Sequence, residues 1–137
     1  MMQSHFDLNN EEFEKAFQTQ AIEPRLFTHE AHLRLAWIHI TKYGVEQAIE
    51  NISTQLLQFF HYVGARDKFN KTVTVAAIYA VHHFVRKSKT NAFVGFIQEF
   101  PQLKNNFKEL LGTHYSENIV NSKKAKQEYV EPDLQPF

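Results

Sequence analysis

Apolar side chains recur every three or four positions along most of the chain, the spacing that places them on one face of an α-helix. The clearest example is residues 45–63, where the apolar positions continue over five turns: Val45, Ala48, Ile49, Ile52, Leu56, Phe59, Phe60 and Val63. Gly44 and Gly64 border this segment, and glycine is common just beyond a helix end. The pattern predicts one long amphipathic helix.

Further helices are predicted on both sides of it. Asn9 and Glu12 have the spacing of a capping box, and Thr28 is a suitable N-cap for a second helix that ends at Gly44. Three later segments also have helical spacing: residues 72–87, 93–100 and 103–111, and Asn70 or Thr72 would cap the first of them. One short polar helix is expected after them. Residues 129–137 contain two prolines and predict an extended tail.

Together these elements predict an all-α fold, a single-domain helical bundle of about five to seven helices that spans residues 1–137. A chain of this length buries roughly two-thirds of the surface that it exposes when unfolded. It contains only four glycines and four prolines but thirteen phenylalanines. Few turn residues and many large rings are typical of helices packed through aromatic side chains.

Composition excludes several classes of function. There is no cysteine, which rules out disulfides, thiolate metal sites and a cysteine nucleophile. Fifteen basic and fifteen acidic side chains leave no net field for a polyanion, so we expect no nucleic-acid partner. Because no signal peptide and no long apolar run is evident, we expect a cytoplasmic protein without membrane association. No glycine-rich phosphate loop or nucleophile elbow is present, and enzymatic activity stays open.

The predicted second helix carries an unusual group of histidines. Its sequence, FTHEAHLRLAWIHI, contains His29, His32 and His39 among mostly apolar residues. At 100° per residue the three rings fall on one face. Glu30 and Arg34 lie on a narrow polar stripe, with the spacing of an i,i+4 ion pair. The helix is therefore predicted to be central, with its histidine face directed at another element.

Two specific metal motifs do not fit this segment. H-E-A-H is one residue shorter than the H-E-x-x-H motif of zinc proteases, and no histidine has a glutamate three residues before it, as a di-iron bundle requires. A looser transition-metal site built from His29, His32 and His39 with a ligand from another helix remains an alternative. We favour it less than a metal-free pocket, and no cofactor is strongly implied.

Two short motifs resemble those of a known group. The sequence T-H-E-A-H-L at residues 28–33 is followed by F-N-K-T-V-T at residues 69–74. This resembles a group of small bacterial all-helical proteins of uncharacterised function, in which a T-H-x-A-H-L motif precedes a Y-H-E-T-x-T motif. The resemblance implies a pocket between the second and fourth helices. Asn70 and Lys71 replace the group's histidine and glutamate, which disfavours a metal in this chain.

These observations predict a histidine-lined pocket that binds a small anionic molecule. The residues expected to line it are His29, His32, Asn70, Lys71 and Thr72. The start of the fourth helix would add free backbone N–H groups and the positive end of the helix dipole, and Arg66 or Lys68 could join them around a carboxylate or phosphate. A plainer alternative is that each histidine makes one or two hydrogen bonds inside the bundle and has only a structural role.

A rival hypothesis belongs to a different class of function. The excess of phenylalanine, together with the tail YVEPDLQPF, is also compatible with a structural or interaction protein, either a homo-oligomer or an adaptor. In that case the tail would lie across a neighbouring subunit.

Overall fold

This computed structural model describes residues 2–137. They contain nine α-helices, three short 3₁₀ helices and no strand. The α-helices are α1 (Asn10–Gln18), α2 (His29–Tyr43), α3 (Val45–Tyr62), α4 (Lys71–Val85), α5 (Phe93–Glu99), α6 (Gln102–Asn105), α7 (Phe107–Gly112), α8 (Glu117–Val120) and α9 (Lys123–Gln127). The 3₁₀ helices are His5–Asp7, Pro24–Leu26 and Arg66–Lys68. The predicted all-α fold is confirmed. None of the described helices has the length and apolar character needed to cross a bilayer.

Several helix ends follow the predicted caps. The Asn9 side chain accepts a hydrogen bond from Glu12 N at 2.8 Å, and the Glu12 carboxylate accepts one from Asn9 N at 2.9 Å. Thr28 and Asn70 cap α2 and α4 in the same way, through a backbone N–H three residues later. Gly44 has a φ of 89°, which makes the abrupt turn between α2 and α3 possible without side-chain strain.

The C-terminal third has more and shorter helices than expected. Residues 103–111 form two helices, α6 and α7, because Asn106 leaves the helical conformation with φ −133° and ψ 33°. The Leu103 carbonyl accepts a hydrogen bond from His29 Nε2 at 3.0 Å, where a continuous helix would use it for its own next turn. The one short polar helix expected near the end is also two helices, α8 and α9.

The core surrounds α2, as predicted. This helix contacts α1, α3, α4, α5 and α6, and all eight of its residues from 33 to 40 are buried. The rings of Phe13, Phe17 and Phe96 are fully buried around it. Buried polar groups must find hydrogen-bond partners, so the few polar side chains of this helix restrict how its neighbours can dock.

Arg34 is the most deeply buried cation of the described residues, with 4% of its surface exposed. The expected ion pair with Glu30 is not formed. Instead the guanidinium donates to the carbonyl oxygens of His5 at 2.7 Å and Leu8 at 2.9 Å, and to Asn10 Oδ1 at 3.0 Å. It thereby attaches the N-terminal segment to α2.

Glu30 takes part in the same cluster from the other side. Its two carboxylate oxygens pair with His5 Nε2 and Lys104 Nζ, both at 2.9 Å. Since a carboxylate only accepts, His5 carries its proton on Nε2, and its Nδ1 faces an Arg34 N–H at 3.3 Å. Burial lowers the pKa of His5, although the bond to Glu30 partly opposes this. We call His5, Glu30, Arg34 and Lys104 the polar cluster.

The predicted tail is extended and lies on its own chain. Thr72 Oγ1 donates to Glu128 O at 2.9 Å and accepts from Val130 N at 3.0 Å, so one hydroxyl serves both sides of the tail's start. Further along, the Phe137 ring stacks on His114 with 4.0 Å between ring centroids. The role of this tail in contacting a neighbouring subunit stays a prediction.

Replacing Arg34 tests the polar cluster. Arg34→Met keeps the length of the side chain but removes the donor to the Leu8 carbonyl and to Asn10 Oδ1, and one of the two donors to the His5 carbonyl, so we expect the free energy of unfolding to fall by about 3 kcal/mol. Urea unfolding measures this directly. Arg86→Met, which removes an exposed arginine just after α4, should change it by less than about 0.5 kcal/mol. Equal effects of the two substitutions would contradict a structural role for the cluster.

Replacing Thr72 tests the attachment of the tail. Thr72→Val keeps the shape and removes both hydrogen bonds, and we expect a loss of about 1–2 kcal/mol together with faster hydrogen exchange at the Val130 amide. The matched control is Thr41→Val, since the Thr41 hydroxyl bonds only carbonyls of its own helix. If the Val130 amide exchanged equally fast in the unaltered chain and in Thr72→Val, the attachment would be disproved.

Candidate functional site

A cavity of about 330 Å³ lies between α2, α3 and α4 and reaches the surface beside α7. Eleven of the sixteen lining residues are apolar: Leu33, Leu35, Ala36, Ile52, Leu56, Phe60, Val73, Ala77, Ile78, Val81 and Phe107. The five polar ones are His29, His32, Lys68, Asn70 and Thr74. Because α2 is capped at Thr28 and α4 at Asn70, the polar residues come mostly from the first turns of these two helices.

His29 stands at the surface side of this cavity and is held by α6. Its Nε2 lies 3.0 Å from the Leu103 carbonyl, and its ring packs against Phe107 with 5.1 Å between centroids. A carbonyl oxygen only accepts hydrogen bonds, so Nε2 must carry the proton. In the neutral ring the other nitrogen, Nδ1, then presents a lone pair.

His32 has the opposite arrangement of its two nitrogens. Its Nδ1 lies 2.9 Å from the Thr28 carbonyl and is therefore the protonated nitrogen, while its ring lies on Phe27 at 3.8 Å between centroids. Burial lowers the pKa of His32 to about 4, and the neighbouring His29 adds to the lowering. The ring is thus neutral near pH 7, and within residues 2–137 its Nε2 lone pair has no hydrogen-bond partner.

The other polar residues of the cavity come from the start of α4 and the loop before it. Asn70 is already engaged, since its Oδ1 accepts from Val73 N and its Nδ2 donates to Val120 O at 2.9 Å. One Nδ2 hydrogen remains available. Lys68 is exposed and forms no ion pair with any of the described residues. The cavity mouth therefore has one free cation.

The structure places three of the five predicted site residues at the cavity. His29, His32 and Asn70 line it, but Lys71 and Thr72 do not. Thr72 points to the tail instead, because two residues along a helix turn the side chain by about 200°.

Thr74 lines the cavity although the sequence analysis did not single it out, and Lys68 lines it although it was considered only as an alternative to Arg66. A signal for Thr74 was present in the spacing of α4, since the positions of this helix that face the cavity follow the three-four pattern onward from its cap: Asn70, Val73, Thr74, Ala77, Ile78 and Val81. Lys68 lies in the 3₁₀ helix before α4, which is only one turn long, too short for a repeating apolar pattern to show which way a side chain points.

His39 does not join the other two histidines of α2. It shares their angular position but lies seven residues beyond His32, about 10 Å along the axis. There its Nδ1 accepts a hydrogen bond from the Asn51 amide at 3.3 Å, and its ring packs beside Tyr43. Across residues 2–137, no group of three or more histidine, aspartate or glutamate side chains is arranged to hold a metal ion.

Comparison with known proteins does not assign this chain to a family. No protein-family model, no curated protein and no solved structure is significantly similar to this chain. The resemblance to small bacterial helical proteins with a T-H-x-A-H-L motif stays a prediction. The chemistry of the cavity is therefore the basis on which a function can be inferred.

The lowered pKa of His32 predicts a pH dependence of stability. Above about pH 6.5 the ring is neutral in both states, whereas between about pH 6.5 and 4 only the unfolded chain takes up a proton, so stability falls as the pH falls. Urea unfolding at pH 7 and at pH 5 should show that the unaltered chain loses about 2 kcal/mol more than His32→Gln. The other buried histidines are present in both proteins, so the difference reports on His32 alone. Equal losses of stability in the two proteins would contradict a neutral His32 ring.

Proposed function

We propose that the cavity between α2, α3 and α4 binds a small molecule with an apolar body, an anionic group and a hydrogen-bond donor. The observation that carries this proposal is the pair of imidazoles at the cavity, each fixed by one nitrogen to a backbone carbonyl, with no hydrogen-bond partner among residues 2–137 for the other nitrogen. Two such acceptors beside an apolar cavity recognise a hydroxyl or an N–H.

The size and lining of the cavity support an apolar body. A volume of about 330 Å³ lies at the lower end of the range for small-molecule sites, and the eleven apolar residues form its interior walls. Burial of apolar surface stabilises the bound state by about 25 cal/mol per Å². Most of the affinity is therefore expected from the body of the ligand, and the polar residues decide how it is oriented.

The charge at the mouth supports an anionic group. Lys68 is the cation that lines the cavity, and no acidic side chain lines it. Since Lys68 is exposed, its attraction to a carboxylate is worth only about 0.5–1 kcal/mol. The neutral His32 adds no positive charge near pH 7, so the anion belongs at the Lys68 side and the donor at the histidine side.

Three related probes test this assignment of roles. Indole-3-acetate has an aromatic body, a carboxylate and an N–H, whereas 1-naphthaleneacetate lacks the N–H and 3-methylindole lacks the carboxylate. Titration calorimetry should show that indole-3-acetate binds most tightly of the three. His32→Phe keeps a ring on Phe27 but removes the acceptor, and it should cancel the preference over 1-naphthaleneacetate, about fivefold for one hydrogen bond.

Two lysines three positions apart, Lys68 and Lys71, provide a matched pair of variants. Lys68→Gln should cancel the preference for indole-3-acetate over 3-methylindole, and Lys71→Gln should leave it unchanged because Lys71 does not line the cavity. Failure of all three probes to bind, or preferences that survive His32→Phe and Lys68→Gln, would refute the proposal. Thermal unfolding of each variant without a probe checks that the fold is retained.

A further inference from the structure

A second cavity, of about 570 Å³, lies between α9 and the 3₁₀ helix Arg66–Lys68. We call it the basic groove, and its main lining residues are Arg66, Asp67, Lys123, Lys126, Leu57 and Phe69. We propose that the basic groove binds a phosphate monoester that carries an apolar group. This site is separate from the cavity described above and does not depend on the function proposed for it.

Positive charge is concentrated in this groove, although the chain as a whole has no net charge. Three cationic side chains face one carboxylate there, whereas the complete sequence has fifteen basic and fifteen acidic residues. The nearby acid Glu128 pairs with Lys124 at 3.9 Å and not with a groove lysine. Arg66 and Lys123 form no ion pair with other described residues, so a dianion in the groove would meet unneutralised cations.

The backbone on both sides of α9 is held against the start of α4. Asn70 donates to Val120 O at 2.9 Å, Thr72 donates to Glu128 O at 2.9 Å, and the Ala125 side chain is fully buried. Lys126 Nζ also donates to Asp67 O at 3.1 Å, which uses one of its three N–H groups and draws α9 to the opposite wall. A ligand would therefore have to order only the exposed side chains of Arg66, Lys123 and Lys126, and not the backbone that carries them.

The walls indicate what accompanies the phosphate. Leu57 and Phe69 line the groove and are half-buried, which leaves part of each side chain open to an apolar group. The guanidinium of Arg66 can donate two parallel hydrogen bonds to one phosphate, and the ammonium groups of Lys123 and Lys126 can contact its remaining oxygens. Inorganic phosphate alone would satisfy only the charged part of the site.

Residues between α3 and α4 line the two sites alternately. Lys68 and Asn70 line the first cavity, while Asp67 and Phe69 line the basic groove. Residues 67 to 70, which run from the 3₁₀ helix Arg66–Lys68 to the N-cap of α4, thus line the two sites in turn. Variants of Lys68 should leave the groove unaffected, which makes the two proposals independently testable.

Phenyl phosphate is a suitable probe, used with isotope-labelled full-length chain in an NMR titration. We expect saturable shifts of backbone amides in residues 66–69 and 123–127, weaker binding of inorganic phosphate and no such shifts with phenol. Lys123→Gln combined with Lys126→Gln should weaken the binding about tenfold. The control, Lys15→Gln with Lys87→Gln, removes the same charge from exposed lysines elsewhere and should leave the affinity unchanged.

A second arm identifies the source of the phosphate. Phosphatidylcholine vesicles with and without phosphatidic acid are tested in a flotation assay with the same variants. Binding only to vesicles that contain phosphatidic acid, lost in the double lysine variant, assigns the groove to a lipid headgroup, and binding of phenyl phosphate alone assigns it to a soluble ester. No saturable binding in either arm, or binding that both pairs of variants affect equally, overturns the proposal.

Discussion

The structure depends on how the buried guanidinium of Arg34 is satisfied. A cation that is 4% exposed on a central helix must find acceptors, and it finds them in backbone carbonyls of the N-terminal segment. This docks His5 against Glu30, and Glu30 in turn binds Lys104 of α6. The next residue back along α6 supplies the carbonyl that orients His29. The polar cluster thus positions one wall of the candidate site from the opposite side of α2.

The other wall is held by the C-terminal segments. Asn70 and Thr72 begin α4, and both use their side chains to bind backbone groups between residues 120 and 130. These bonds serve two sites at once, because they fix the start of α4 at the first cavity and place α9 across the basic groove. The N-terminal and C-terminal segments of the chain therefore both help to orient residues that line a cavity.

Local signals in the sequence predict the fold well and the site only in part. The caps at Asn9 and Thr28 and the apolar periodicity of α3 are set by residues three or four positions apart, so the sequence alone predicts them, and for α4 it leaves two candidate caps, of which Asn70 is the one formed. The partners that a polar side chain binds are different, because they depend on the tertiary structure. The spacing of Glu30 and Arg34 permits an ion pair, but distant groups compete for both side chains and prevail, and nothing near them in sequence reveals this.

The contrast between local sequence signals and contacts made by distant residues also explains why net charge is a poor guide to the binding of small charged ligands. A balance of fifteen against fifteen describes the field far from the molecule, which matters for a long polyanion, but interactions between exposed charges are screened within about 8–10 Å. A small anion responds to the few charges within that distance. The fold brings Arg66 beside two lysines of α9 that lie nearly sixty residues away in sequence. Local charge, in contrast to net charge, is thus a property of the tertiary structure.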